Sequence, residues 1–352
     1  MEFLDLKKEY GNMKSEIRDA VFNVLDNGIF IGGKEVDSFE SEIANYCGTE
    51  HAISVNSGTD ALLLSLEAIG VKGKEVITTP FTFIATAGAI IRAGGIPVFV
   101  DINENDFNIN PDMIESKITS KTKVILPVHL FGKPCQMEKI IKLAKKHNIG
   151  VVEDAAQAFG AVNYDNKKIG SVGHVGCFSF YPTKNLGGMG DGGMIITNFD
   201  DLDYKIRILK NHGSSLEARY DNLVIGTNSR LDAIQATILR VKLKYLDKQI
   251  KERKENAKYY SKALNQEYFN DSTYNQYTIR IKNRDKFEVD FPYQIYYPKP
   301  LHLLKALEYL GYKEGDFPIA EKASKEVVSI PLLVSKEDQD YIINKIKKYV
   351  ND

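Results

Sequence analysis

The stretch Ser179-Phe-Tyr-Pro-Thr-Lys184-Asn-Leu-Gly-Gly-Met-Gly-Asp-Gly-Gly193 sets one lysine in a glycine-rich loop between two apolar runs, Gly176-Cys-Phe-Ser-Phe180 and Gly193-Met-Ile-Ile-Thr197. A lysine in such a loop is held close to backbone with little bulk around it, which suits an amine that attacks a carbonyl carbon. Taken alone it also reads as an ordinary surface lysine. The glycines invite a dinucleotide fingerprint, but Gly190-Asp-Gly-Gly193 leads into a strand instead of opening a helix, so that reading fails on context.

Outward from this loop, short apolar runs alternate with helical stretches from Glu35 to about Asn211, the pattern of a parallel α/β sheet. His51–Val55, Glu75–Thr79, Ile96–Val100, Lys123–Pro127 and Gly150–Glu153 read as strands. Thr59–Ile69, Thr82–Arg92 and Met137–His147 read as helices between them. Val36, Phe39, Ile43 and Cys47 fall at helical spacing ahead of the first strand. From Arg230 to about Leu264 the spacing of Leu231, Ile234, Ile238, Val241 and Tyr245 predicts one continuous helix able to bridge two domains. Beyond it the composition shifts toward Tyr, Asn and Lys, with strand-like Tyr277–Ile281, a Pro-marked Tyr296-Tyr-Pro-Lys-Pro300 and a final amphipathic helix near Ser335–Val350. The expected division is a large domain over residues 1–240 and a smaller one over 241–352.

The 352 residues amount to about two domains at roughly 150 residues each. Lys and Arg number 46 against 47 Asp and Glu, a net charge of -1, which argues against a non-specific nucleic-acid footprint. Cys47, Cys135 and Cys177 lie far apart without a C-x-x-C pair, so neither a disulfide framework nor a zinc ribbon is encoded. The six histidines show no ligand spacing, and no metal is expected. No apolar run is long enough for a membrane span, and Met1–Tyr10 lacks the apolar core of a signal peptide. A cytoplasmic protein is expected.

Two further clusters fall where strands end, the place where ligands gather in open α/β sheets. Asn56-Ser-Gly-Thr-Asp60 opens a helix, so its backbone N–H groups and hydroxyls suit a phosphate, though the same residues are ordinary helix caps. Val151-Val-Glu-Asp-Ala-Ala-Gln157 puts Asp154 just beyond an apolar strand, where a carboxylate pairs with a cationic ring nitrogen or simply caps the chain. His129, at the end of another apolar strand, reads as a hydrogen-bonded structural histidine.

A strand-end phosphate loop, a strand-end aspartate and a glycine-flanked lysine about thirty positions later form the order found in fold-type I pyridoxal-phosphate enzymes. The chain resembles the DegT/DnrJ/EryC1/StrS family of sugar aminotransferases over nearly its whole length. The likeness rests on Phe3-Leu-Asp-Leu6, Gly28-Ile-Phe-Ile-Gly32, Ser57-Gly-Thr-Asp-Ala-Leu62, Thr82-Phe-Ile-Ala-Thr86, Glu153-Asp-Ala-Ala-Gln157, Pro182-Thr-Lys-Asn-Leu186 and Gly226-Thr-Asn-Ser-Arg-Leu-Asp232.

The resemblance implies an α/β fold of the aspartate aminotransferase-like type: a large domain with a mostly parallel sheet flanked by helices, and a smaller C-terminal α+β domain. It implies pyridoxal 5'-phosphate as cofactor. Lys184 matches the lysine that bonds to the cofactor and shuttles the proton, Asp154 the acid that keeps the ring nitrogen protonated, and Gln157 the partner of the ring hydroxyl. Gly58, Thr59 and Ser179 match phosphate contacts within one subunit, Asn228 a phosphate contact donated by the other subunit of a homodimer, and Phe83 the aromatic that stacks on the ring. Tyr220, His302 and Tyr297 of the Tyr296-Tyr-Pro segment resemble positions near the sugar-nucleotide pocket, and each also reads as a loop or core residue. Phe159 departs from the family pattern, which often has histidine there.

The implied reaction moves the amine of L-glutamate to a keto-sugar nucleotide. The loop Tyr181–Gly187 with Gly190–Gly193 resembles enzymes that aminate carbon 3 of dTDP-3-keto-6-deoxyhexoses, on the way to an amino-deoxysugar of an O-antigen or S-layer glycan. The alternatives are a carbon-4 or cyclitol aminotransferase and, from another class, a non-catalytic ligand-binding or regulatory protein. A dehydratase of the family would carry histidine where this chain has Lys184.

Overall fold

The computed structural model describes residues 1–163, 165–218 and 220–350. Seven strands, β1 His51–Val55, β2 Glu75–Thr78, β3 Ile96–Phe99, β4 Thr122–Ile125, β5 Gly150–Asp154, β6 Val175–Ser179 and β7 Gly193–Thr197, form one sheet in the order β1-β7-β6-β5-β4-β2-β3. The pairs from β6 to β3 are parallel, whereas β7 runs antiparallel to both of its neighbours. The β6–Lys184 loop–β7 segment is therefore a wide hairpin, and Ser179 pairs with Gly193 across its mouth.

The helices are α1 Leu6–Asn27, α2 Lys34–Cys47, α3 Gly58–Ile69, α4 Ile84–Arg92, α5 Pro111–Ile114, α6 Met137–His147, α7 Asp200–Leu209, α8 Ala233–Leu243, α9 Leu246–Leu264, α10 Pro318–Glu326 and α11 Lys336–Val350. Helices α3, α4 and α7 bury one face of the sheet, α2, α6 and α8 the other. That two-sided burial is why the strands read as near-continuous apolar runs. A separate C-terminal core gathers Ala257, Tyr260 and Leu264 of α9, Ile342 and Ile346 of α11, and the antiparallel pair β8 Tyr277–Arg280 and β9 Val327–Ile330. Residues between these strands return to the sheet: Leu301, Leu307, Phe317 and Ala320 belong to the core beneath α3. Among the described residues no helix is long and apolar enough to cross a membrane.

The single helix expected over 230–264 is two. Helix α8 closes at Leu243, where the Lys244 and Tyr245 N–H groups tighten onto the Val241 and Lys242 carbonyls three residues back. Helix α9 then starts at Leu246. The apolar stripe continues across the break because Leu239 serves the sheet core and Tyr260 the C-terminal core, two surfaces one straight helix would not both meet. The Tyr245 hydroxyl, bonded to Glu16 of α1, pins the break. Helix α4 also starts later than its periodicity suggests, at Ile84, leaving Thr82 and Phe83 in the loop after β2.

Candidate active site

The carboxyl ends of β1, β5 and β6 lie side by side, and three loops place polar groups there. Asp154 ends β5 and is 5% exposed. Its Oδ2 accepts the Thr86 hydroxyl at 2.8 Å and its Oδ1 the Ala156 N–H at 3.3 Å. Burial pushes its carboxyl above the usual range, against the Thr86 and Ala156 donors and the charges of Lys184 and His129. A buried carboxylate with these neutral donors has accepting capacity left for a cation.

The neighbouring Glu153 is fully buried and satisfied: it accepts the Gly170, Val172 and Gly173 N–H groups and faces His129 Nε2 at 3.0 Å. His129 Nδ1 in turn accepts the Cys135 N–H at 3.0 Å, so the proton sits on Nε2 and points at Glu153. This frame fixes β5 behind Asp154 and makes His129 structural, as its strand-end position suggested.

Lys184 is half-buried in the loop after β6, its N–H on the Tyr181 carbonyl at 2.9 Å. The loop turns so tightly that a Cβ on Gly187 would stand 2.3 Å from the Pro182 carbonyl oxygen. Glycine alone fits there. Burial draws the Lys184 amine down from 10.5 to about 8, with the Asp154 charge acting the other way. Among the described residues its Nζ forms no ion pair, so the amine is available to a ligand.

At the start of α3 the Ser57 hydroxyl caps the Asp60 N–H at 3.1 Å, leaving Gly58 and Thr59 at the positive helix end. A Cβ on Gly58 would meet Ser179 Cβ at 2.7 Å. The helix end thus approaches the Ser179 side chain only because residue 58 is glycine, and their shared rim is a cradle for a tetrahedral anion.

Gln157 and Tyr297 meet beside Asp154. Gln157 Oε1 accepts the Phe131 N–H at 2.7 Å and its Nε2 reaches the Tyr297 hydroxyl at 3.2 Å. Phe83, 55% exposed, stands 6.2 Å from the Tyr297 ring, the open aromatic wall of the site.

Three of the expected residues are elsewhere. Asn228 is exposed and lines a hollow with Asn56, Asp191 and Arg230 that includes neither Asp154 nor Lys184. Tyr220 lies exposed in the loop that also carries Ile225. His302 is 1% exposed, with Nε2 3.0 Å from Glu321 and its ring against Phe317, so it ties α10 to the preceding segment and offers no surface to a substrate. Phe159 packs among Tyr46, Phe178 and Phe180 in the core under the sheet.

Thr86 and Phe131 were not singled out from the sequence. Thr82 and Thr86 sit four apart, one turn of helix, but that spacing did not say that their hydroxyls, 3.1 Å apart, end on Asp154.

The model of the DegT/DnrJ/EryC1/StrS aminotransferase family matches residues 12–347. A Geobacillus stearothermophilus protein named pleiotropic regulatory protein is 45% identical, covering 98% of this chain and 97% of its own. The dTDP-3-amino-3,6-dideoxy-alpha-D-galactopyranose transaminase of Aneurinibacillus thermoaerophilus is 41% identical over 99% of both chains. Among solved structures, Bacillus subtilis NtdA with bound cofactor PMP, the amine form of pyridoxal phosphate, superposes with a TM-score of 0.93 at 30% identity, covering all of this chain and 85% of that one.

The residues here fit that cofactor: a cradle at Gly58 and Ser179 that a Cβ would fill, a buried carboxylate without a cation bonded to it, and a lysine of depressed basicity with no partner. The parallel-sheet architecture, the lysine hairpin and the sequence match over nearly its full length agree, and the chain belongs to the DegT/DnrJ/EryC1/StrS aminotransferase family, a pyridoxal-phosphate-dependent enzyme.

Proposed function

We propose that this aminotransferase moves the amine of L-glutamate onto carbon 3 of a dTDP-linked 3-keto-6-deoxyhexose, working as a homodimer. The observation that carries the aminotransfer is the pair Lys184 and Asp154, an unpaired amine of depressed basicity beside a buried carboxylate. The carbon-3 position rests on the resemblance of the Lys184 loop and on the name of the Aneurinibacillus relative.

Pyridoxal phosphate, when bound, supplies an aldehyde that carries the amine and a ring that accepts the electron pair of the breaking C–H bond. The protein's part is positional and electrostatic. Gly58, Thr59 and Ser179 would hold the phosphate at the α3 terminus. Asp154, kept in place by Thr86 and the Ala156 N–H, would hold a proton on the ring nitrogen. Lys184, its amine drawn to about 8, would take a proton from the amino donor's α carbon and return it to the carbon that had carried the cofactor's aldehyde. Phe83 and Tyr297 exclude water from one side of the site. Asn228 would hold the phosphate bound by the opposite subunit. The apolar side chains exposed along Ile29, Phe30 and Ile31, and in the loop of Leu223, Val224 and Ile225, suit burial against a second copy.

The test is the absorbance of the cofactor-loaded protein with glutamate, followed by 3-keto and 4-keto dTDP-6-deoxyhexoses in separate cuvettes. The yellow band is expected to fade with glutamate and return only with the 3-keto sugar. Return with the 4-keto sugar alone moves the reaction to carbon 4. Absence of any change with amino donors favours a regulatory binding protein instead.

A further inference from the structure

Arg253, in the third turn of α9, is 6% exposed, yet among the described residues no carboxylate is bonded to it. One guanidinium nitrogen, NH1, donates to the Tyr274 and Asn275 carbonyls at 3.2 and 3.4 Å. Among the described residues the hydrogen bonds of Arg253 all come from NH1, leaving Nε and NH2 free to donate. The two acids whose charges reach Arg253 are Glu9 and Glu252, and Glu9 is already paired with Lys242 at 2.8 Å. An arginine this buried is ordinarily paired, because an unpartnered charge in the interior is costly. Here burial draws even the guanidinium down to about 10.

A second, independent feature lies next to it. Asn275 is 7% exposed, and among the described residues neither its Nδ2 nor its Oδ1 has a hydrogen-bond partner. Arg253 and Asn275 line one narrow hollow of about 50 Å³ together with Thr183 and Tyr296. Arg253 also lines a larger cleft of about 410 Å³ that includes Lys184 and Asn185, whose Oδ1 is likewise buried and unpartnered. A cation with donors to spare and an amide with none of its hydrogen bonds made, both nine-tenths buried, thus border the narrow hollow beside Thr183, and the cation also borders the cleft that includes Lys184.

We propose that Arg253 and Asn275 form an oxyanion subsite that receives a carboxylate of the amino donor and of the keto acid it becomes. The inference rests on the aminotransfer reading above and adds the groups that hold the donor. A planar carboxylate takes two parallel N–H donors, which guanidinium Nε and NH2 present in a fixed fork, and the Asn275 amide adds a third. The sugar nucleotide's diphosphate is the other source of oxyanions, but a hollow of about 50 Å³ holds a carboxylate and excludes a nucleoside diphosphate.

The experiment is calorimetric titration of the cofactor-loaded protein with succinate, an unreactive dicarboxylate, and separately with dTDP, for the wild type and for Asn275→Ala and Arg253→Lys. Asn275→Ala removes no existing side-chain hydrogen bond, so the fold is retained. Succinate binding is expected to weaken by about tenfold or more in Asn275→Ala, the size of a lost hydrogen bond to a charged group, with dTDP binding unchanged. Arg253→Lys, which keeps the charge and loses the fork, is expected to weaken succinate further. Unchanged succinate affinity in both variants overturns the proposal, as does a loss confined to dTDP or a wild type that does not bind succinate. Succinate binding through Asn275 in a protein that transfers no amine would keep the subsite and remove the aminotransfer reading. Amine transfer from glutamate indifferent to Asn275 would do the reverse.

Discussion

Thr86 Oγ1 lies 2.8 Å from Asp154 Oδ2 and 3.1 Å from Thr82 Oγ1, so that two hydroxyls one helical turn apart run in series onto a buried carboxylate. With Thr86 donating to Asp154, Thr82 donates to Thr86, and the two hydroxyls together hold the carboxylate in place. Replacing Thr86 by valine removes the strongest donor to Asp154 and raises its carboxyl further. The expected outcome is a loss of about tenfold in affinity for pyridoxal phosphate, from a charged hydrogen bond of about 1.5 kcal/mol, read by titrating the cofactor-free protein. Equal affinity in Thr86→Val would show that Asp154 needs no such support.

The Lys184 amine, drawn to about 8 by burial, sets a pH dependence. Only the neutral amine attacks an aldehyde, and the neutral fraction rises with pH through the pKa. Capture of pyridoxal phosphate by the cofactor-free protein should therefore accelerate with a midpoint near 8, followed by stopped-flow absorbance. A midpoint near the ordinary lysine value of 10.5 would contradict the buried setting. Lys184→Ala should abolish covalent capture at every pH.

Gly58→Ala tests the cradle. The added Cβ meets Ser179 Cβ at 2.7 Å and its Cα at 3.2 Å, so α3 must retreat from β6. Overpacking of this kind costs about 1–3 kcal/mol, and the anion cradle widens with it. Urea unfolding should show the stability loss, and phosphate-dependent cofactor binding should weaken. Gly88→Ala, inside α4 with open space around its Cβ, is the control: it is expected to raise stability by about 0.5–1 kcal/mol and to leave cofactor binding unchanged.

Glu40 joins α2 to the β1 edge: it accepts the Ser54 N–H and hydroxyl at 2.8 and 2.7 Å and pairs with Arg207 at 3.0 Å and Lys210 at 3.4 Å. Burial pushes its carboxyl up, but Lys210 and Arg207 outweigh it, and the net direction is below the ordinary 4.5. Because the folded value is the lower one, this contribution is complete above 4.5 and is lost as pH falls through the folded value. Glu40→Gln should cost about 2 kcal/mol at neutral pH, because Lys210 loses its carboxylate while Arg207 keeps Asp203 at 2.9 Å. Denaturant midpoints should then converge with the wild type in acid. A constant gap between the two proteins across the acid range would refute the assignment.

Much of the fold was legible because its signals are local. The strands at His51–Val55 and Gly193–Thr197 and the helix Met137–His147 sit where the apolar spacing puts them, each punctuated by its own caps and glycines. Asp154 falls at a strand end, as its neighbours in sequence suggested, and Ser57 is the helix cap that its side chain favours. The break between α8 and α9 was not legible, since the apolar stripe runs unbroken and only the presence of two separate cores divides it. His302 illustrates the opposite case: a polar residue in a Pro-marked segment looks like a pocket residue until Glu321, 19 positions on, is seen to hold it inside.

By itself the sequence determined the α/β alternation, the order of phosphate loop, aspartate and lysine, and the glycines around Lys184, because each depends on residues within a few positions of one another. The tertiary structure alone decided that β7 would run antiparallel between β1 and β6, bringing the Gly58 helix end onto Ser179. It also decided that Thr86 would support a carboxylate 68 positions away, and that Arg253 and Asn275 would be left unsatisfied beside the lysine loop. Such pairings carry no local signature. They arise when chain segments far apart in sequence are packed to bury a common core, and the polar groups stranded at the seams become the site.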